Sequence, residues 1–598
     1  MRTNLGIWCL LFWLGLLAAQ AAPAANQGVL VFTHVTVIDG TGAPAQRDLA
    51  VVITGGRISA MGSSALLRAP TNAVTVDATG KFLIPGLWDM HVHPYEKDYL
   101  PLFIANGVVG VRVMWGMPEH HEWRKEIEAG ALVGPHLFIG SAILDGPKPI
   151  WPTSIAVGNA AEGRQAVAKV RQDGAEFVKV YSVLPRDAYF AIADEAKREG
   201  IPFAGHVPLS VSVEEASEAG QKSIEHLTGI LAACSSREAV LLQMARETLA
   251  KMLTATEPTN LQTYLLQERR LALQTYSRAK AEALFTELRT NHTWQCPTLV
   301  VLRNMRYIHD EAITNDPRLK YLPREIRSFW NPAGDFRFRG ETPEDTAVGQ
   351  QVNRKELKIV GAMQRAGVEF LAGTDTPNPY CFPGFSLHDE LGLLVEAGLT
   401  PMQALQAATR NAARFMGREQ ELGTVETGKL ADLVLLNANP LKNIANTRRI
   451  DAVVFGGRLL ARPVLDEMLA KIEALADKSE MSLAAILFQT LDDKGIEAAV
   501  KQYHELKAAP APGSDFGEQQ LNNLGYRLIG LGRYKDAIKI LKLNVEEFPQ
   551  SSNVYDSLGE AFMDDGDTRL AIENYQKSLQ LDPRNAGAIE RLKQLKAR

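Results

Sequence analysis

The stretch Leu83-Ile84-Pro85-Gly86-Leu87-Trp88-Asp89-Met90 is almost wholly apolar and runs straight into His91-Val92-His93. A short apolar run flanked by turn residues reads as a buried strand, and residues two apart on a strand face the same side. Both imidazoles then point into one cavity, where they suit a divalent metal such as zinc. With 12 histidines in 598 residues, one such spacing is unremarkable by itself. Recurrence gives it weight. His206 ends Pro202-Phe203-Ala204-Gly205, His226 ends Ser223-Ile224-Glu225, and Asp375 ends Val368-Glu369-Phe370-Leu371-Ala372-Gly373-Thr374.

Those strand ends belong to a longer alternation. Strand-like runs at 86–91, 110–114, 137–140, 177–181, 202–206, 223–226, 293–298 and 368–374 are separated by helical stretches such as 186–199 and 213–219. The fold class this predicts is α/β: a (β/α)8 TIM barrel over 83–419, whose C-terminal strand ends converge on one site. The segments 235–290 and 307–350 are excursions on the loop face. Residues 26–82 and 420–465 are β-rich with Gly-containing turns, which predicts one small β-sandwich domain built from both flanks.

The texture turns helical from 466 to 510, and a repeat follows over 511–598. Leu524-Gly525 recurs as Leu558-Gly559, Ala537-Ile538 as Ala571-Ile572 and Pro549 as Pro583, each at an offset of 34. That is the tetratricopeptide period, so an all-α helical-repeat tail is expected. Two repeats are few, and packing against helices at 482–507 is expected to complete their core. Such a tail suits a protein partner or self-association.

The N-terminus has Arg2, an apolar core over 5–17 and small residues at Ala18-Ala19-Gln20-Ala21-Ala22. This reads as a signal peptide over 1–25 and predicts an exported protein, periplasmic or secreted. No later run reaches the length of a membrane span. The net charge of -5 and the lack of basic runs point away from nucleic acid. Three cysteines beyond the leader, Cys234, Cys296 and Cys381, make no disulfide framework.

Lys179 sits midway along the apolar Phe177-Val178-Lys179-Val180-Tyr181. A buried lysine without a partner tends to lose its charge, and a neutral amine reacts with carbon dioxide to give a carbamate. The alternative is a lysine that snorkels to the barrel mouth or pairs with an acid. Tyr181 lies two residues on, facing the same interior. With His388, Arg112 and Trp115 it is a candidate substrate-binding residue.

The segments from Lys81 through His93, Gly205-His206-Val207, Glu225-His226 and Ala372-Gly373-Thr374-Asp375 resemble the amidohydrolase superfamily, nearest its imidazolonepropionase-like and prolidase-like branches. The likeness continues through Ala397-Gly398-Leu399-Thr400-Pro401 to Gly428-Lys429-Leu430-Ala431-Asp432-Leu433. It implies that His91, His93 and Asp375 hold one metal, that His206 and His226 hold a second, and that a carboxylated Lys179 bridges them. Imidazolonepropionase itself uses one metal and lacks the lysine, so Lys179 favours the binuclear branch. Two divalent ions are thus expected, zinc foremost, with manganese or iron compatible. The implied reaction is hydrolysis of a carbon–nitrogen bond in a small substrate such as a dipeptide or N-acyl amino acid. Metal-activated water would attack, and Asp375 would act as general base and acid. A cyclic amide, lactone or phosphoester would suit the same residues. A degenerate barrel serving as a scaffold for the repeats is the reading from another class.

Overall fold

The computed structural model describes residues 28–596, apart from 152, 255–260, 333–334, 339–340 and 512–513. The signal peptide expected over 1–25 lies outside the described residues.

The chain enters through β1 (Leu30–Val37), β2 (Gln46–Thr54), β3 (Arg57–Ser63), β4 (Val74–Asp77) and β5 (Phe82–Pro85). The barrel strands are β6 (Leu87–Val92), β7 (Val108–Val113), β8 (His136–Asp145), β10 (Phe177–Val180), β11 (Phe203–Gly205), β12 (Ser223–Glu225) and β13 (Trp294–Cys296), with β9 (Ile155–Ala156) paired to β8. The first sheet is completed by β14 (Leu433–Leu436), β15 (Ile450–Phe455) and β16 (Arg458–Ala461).

The flanking strands depart from the expected sandwich. They form one continuous sheet in the order β16-β15-β14-β5-β1-β2-β3, with β4 beside β1, rather than two facing sheets. The sheet curls on itself: Ile58 N donates to Lys429 O and Ala431 N to Gly56 O, each at 2.9 Å. Leu30, Phe32, Val51, Ile58, Leu433 and Val454 fill the inside of that curl. A curled sheet buries the same alternating apolar face as two stacked sheets would, so the sequence pattern does not separate them.

The seven barrel strands pair in parallel from β6 round to β13. The eighth wall, expected as a strand at 368–374, is an extended segment with single bridges, Phe370 to Gln295 on one side and Thr376 to Val92 on the other. Leu371 N donates to Gln295 O at 2.9 Å and Met90 N to Ala372 O at 2.8 Å, so the segment joins β13 to β6 and closes the circle. A regular ladder is interrupted at its end, where Asp375 takes a left-handed φ of 61°. Helices cover the outside. That over Arg186–Glu199 turns Ala188, Ile192, Ala193 and Ala196 inward and stops at Gly200, whose φ of 65° suits glycine. β5 runs into β6 through Gly86, where a Cβ would stand 2.4 Å from Val109 Cγ2.

The helix Arg462–Lys478 packs on the barrel, with Ile472 and Ala476 against Tyr99 and Leu102. Helices then follow in antiparallel neighbours: Leu483–Lys494 with Ile496–Ala508, Glu518–Gly530 with Tyr534–Glu547, Ser552–Asp564 with Thr568–Leu581, and Ala586–Lys596 last. Leu483, Leu487, Leu491 and Tyr503 share one core with Leu521, Leu524 and Leu528, as the expected packing of 482–507 requires. Gly525 and Gly559 occupy equivalent places: a Cβ would lie 2.5 Å from Leu541 at the first and 3.0 Å from Tyr575 at the second. Among the described residues no helix is long and apolar enough to cross a membrane.

Leu487 is fully buried in the tail core and remote from the barrel interior. Leu487→Ala is expected to destabilise the tail by about 2–5 kcal/mol. Hydrogen exchange then rises over 483–595 while the barrel strands keep their protection. Equal loss of protection in β6 and β7 would show instead that tail and barrel unfold as one unit.

Candidate metal centre

His91 and His93 leave β6 on one face, as the strand period demands. His91 is fully buried, and its ring lies 5.3 Å from that of His93 and 4.5 Å from that of His226, centroid to centroid. The His206 ring lies 4.9 Å from that of His226. Asp375 reaches across from the eighth wall, with Oδ1 2.9 Å from His93 Nε2 and 3.3 Å from His91 Nε2, and Oδ2 3.9 Å from His226 Nδ1. His91, His226 and Asp375 present donor atoms that all lie within 4.8 Å of one another.

Backbone conformation helps to aim these groups. His226 and Asp375 have φ of 58° and 61°, and Thr298, which contacts His226, has 47°. Non-glycine residues in the left-handed region cost about 1–3 kcal/mol each and persist where surrounding structure over-determines them. Here each sits just past a strand end and turns its side chain across the barrel mouth. Gly373 permits the close approach: a Cβ there would stand 2.6 Å from Cys296 Sγ and 2.9 Å from His91 N. Asp89, two residues before His91, accepts from Thr374 N at 3.0 Å and Thr374 Oγ1 at 2.6 Å, which ties β6 to the residue preceding Asp375. Burial pushes the Asp89 carboxyl up to about 7.

Lys179 is 1% exposed. It forms no ion pair among the described residues, although the Tyr181 ring lies 5.8 Å from Nζ. Burial lowers its amine to about 8, with Glu225 and Asp375 acting in the opposite direction. Burial also raises the Asp375 carboxyl, but His226, the His93 contact and Lys179 outweigh it and hold the group below the usual carboxylate range.

The four candidate substrate-binding residues separate. Tyr181 stacks on His206 at 4.0 Å, and its hydroxyl accepts from Trp151 Nε1 at 2.7 Å. Trp115 stands edge-on to His93 at 6.3 Å and 6.2 Å from Trp151, so Tyr181, Trp151 and Trp115 form an aromatic wall beside the histidines. Arg112 does not line the pocket. It is fully buried and donates to Met90 O, Ser223 Oγ and both Glu225 oxygens. His388 is likewise misplaced by sequence reasoning: Nδ1 lies 2.9 Å from Thr447 Oγ1 and Nε2 3.0 Å from Asn106 O, which uses both ring nitrogens away from the site.

Sequence reasoning missed Asp89, Glu225, Ser182 and Thr298. Ser182 Oγ lies 2.8 Å from His206 Nδ1 and Thr298 Oγ1 2.7 Å from His226 Nδ1. The rule that singled out Lys179, a charge inside an apolar strand, applies equally to Arg112 within Val108–Val113, but not to Glu225, which ends the short strand Ser223–Glu225.

Two orphaned nitrogens test whether this arrangement fits a metal. His91 Nε2 and His93 Nδ1 are buried without a hydrogen-bond partner. Buried polar atoms are ordinarily satisfied, and His91 Nε2, 3.3 Å from Asp375 Oδ1, is the kind of imidazole nitrogen that zinc-like ions take. The residues fit.

Comparison with known proteins identifies the family. The model of the amidohydrolase family matches residues 82–460. The chain belongs to the amidohydrolase family. It is 33% identical over 103 residues to an imidazolonepropionase of Aeromonas hydrophila, a match covering 17% of this chain and 25% of that protein. A second imidazolonepropionase, from Aromatoleum aromaticum, is 42% identical over 88 residues, 14% of this chain and 20% of that protein. The chain thus spans about a quarter of the length of these curated relatives. Among solved structures, a bottromycin amidohydrolase superposes with a TM-score of 0.59 at 24% identity, covering 75% of this chain and 90% of that one. A putative prolidase from Bifidobacterium longum gives 0.51 at 23%, covering 75% and 99%. A Xaa-Pro dipeptidase with bound methionine gives 0.52 at 20%, covering 73% and 100%. These likenesses are likenesses of fold.

His388→Ala strips partners from buried Asn106 O and Thr447 Oγ1 and is expected to cost about 1–3 kcal/mol in urea unfolding. Bound metal per chain stays at the wild-type value. A fall in metal content would contradict the placement of His388 outside the centre.

Proposed function

We propose that this amidohydrolase is a binuclear metal enzyme that hydrolyses a carbon–nitrogen bond in a small substrate, a dipeptide or N-acyl amino acid. The convergence of His91, His93, His206, His226, Asp375 and buried Lys179 at one barrel mouth carries this reading. His91, His93 and Asp375 would hold one ion, and His206 and His226 the other. Lys179, carboxylated on its neutral amine, would bridge them. Zinc suits the donor set, and manganese or iron would also be accepted. Such ions, when bound, lower the pKa of water and polarise a carbonyl.

The chain's own residues do the rest. Asp375, ionised and held by His93, takes a proton from the attacking water and passes it to the departing amine. The aromatic wall of Tyr181, Trp151 and Trp115 holds an apolar part of the substrate and keeps water out. Solved neighbours named as a prolidase and a Xaa-Pro dipeptidase support an open amide substrate. The imidazolonepropionase relatives support a second reading, hydrolysis of a cyclic amide. The period of 34 in the tail supports a tetratricopeptide-type array that binds a protein or a second copy. The apolar leader supports export.

Purified protein supplied with zinc or manganese is expected to cleave dipeptides or N-acyl amino acids, and a chelator abolishes the cleavage. Cleavage that survives complete metal removal would refute the proposal; cleavage of cyclic amides alone would select the second reading. Asp375→Asn is expected to lower kcat at least about 100-fold, the low end for loss of a general acid–base group. Bicarbonate is expected to speed metal uptake by the metal-free wild type and to leave Lys179→Ala unaffected. Equal uptake by both proteins would remove the carbamate from the account.

A further inference from the structure

We propose that Glu225, clamped by Arg112, is the positioning residue that fixes His91 for its metal. This inference rests on the binuclear reading. Glu225 Oε2 lies 2.8 Å from His91 Nδ1, and both side chains are fully buried. Arg112 Nη2 reaches both Glu225 oxygens at 2.9 and 2.8 Å, and Ser223 Oγ donates to Oε1. The remaining Arg112 donors go to Met90 O, one residue before His91, and to Ser223 Oγ. One guanidinium therefore ties β12 to β6 directly beneath the metal centre.

The chemistry of this arrangement is one-sided. A carboxylate clasped on both oxygens by a guanidinium accepts hydrogen bonds and offers none, so the geometry places the His91 proton on Nδ1. Nε2, the buried nitrogen with no partner, is then the lone-pair donor that faces Asp375. A hydrogen bond from a ligand histidine to a carboxylate orients the ring and raises its basicity. Neither of the other backed histidines has this: His206 meets the Ser182 hydroxyl and His226 the Thr298 hydroxyl. Glu225 is not itself a ligand. It offers donor atoms within 4.8 Å of His91 and Cys296, but both its oxygens are already engaged by Arg112. The two metal positions are consequently unequal, and the one that includes His91 has the carboxylate behind it.

Cobalt-loaded full-length protein tests this without a substrate. Release of each ion to excess chelator is followed through the visible spectrum, with metal content counted after gel filtration. In Glu225→Gln, one of the two cobalt ions is expected to leave about 10–100-fold faster while the other leaves at the wild-type rate. Because that change leaves Arg112 charged and buried, the double variant Arg112→Met with Glu225→Gln removes both charges together; it is expected to show the same selective loss. Wild-type rates for both ions in either variant would overturn the inference. So would equal acceleration of both ions with a lowered melting temperature of the metal-free protein, since that describes packing alone. A wild-type chain that takes up no cobalt would overturn the binuclear reading and this inference with it.

Discussion

The site depends on closing the barrel with a single extended segment. Residues 368–376 bond to β13 through Gln295 and to β6 through Met90, His91 and His93, and they carry Asp375 to the histidines. The approach is tight enough that only a glycine fits at 373. Asp89 seals the junction by accepting from Thr374. Shift this segment by an ångström and Asp375 no longer meets His93, so the energetic cost of a left-handed Asp375 is offset by the bonds on both of its sides.

Beneath that closure lies a charged layer that an apolar barrel would not tolerate unpaired. Arg112 and Glu225 neutralise each other where neither meets solvent. Such a buried pair adds little net stability over apolar residues of similar size, and losing one partner is costly. Its value here is geometric, since it connects β7, β12 and β6 at the level of the ligands. Above the closure, the excursion on the loop face presses on the same segment: Trp330 Nε1 donates to Pro377 O at 2.9 Å and Arg337 Nη1 to Asn378 Oδ1 at 2.7 Å. The tail reaches that excursion in turn. Arg527 lies over the Phe329 ring at 4.5 Å, and Ser482 Oγ donates to Glu325 Oε1 at 2.9 Å. Helical tail, mouth loop and Asp375 segment thus form one chain of contacts.

Much of this was legible in the sequence, for local reasons. Period-two alternation puts His91 and His93 on one face, and convergent strand ends assemble His206, His226 and Asp375 without any knowledge of contacts. Lys179 announces itself as a charge within an apolar strand. What stayed hidden is tertiary. Whether Arg112 faces a pocket or a buried Glu225 depends on which strand lies opposite across the barrel, and whether His388 meets a substrate or Asn106 depends on helix rotation. A curled sheet and a sandwich share one alternation pattern. The eighth wall reads as a strand because its apolar residues are those of a strand, while the bridges that define it lie on its neighbours.

Anomalous diffraction from a crystal grown with zinc, recorded at the zinc edge, tests the central claim most directly. Two peaks are expected, one beside His91, His93 and Asp375 and the other beside His206 and His226, with continuous density from Lys179 between them. A single peak bound by His91, His93 and Asp375 with an unmodified Lys179, or no peak at the barrel mouth, would contradict it.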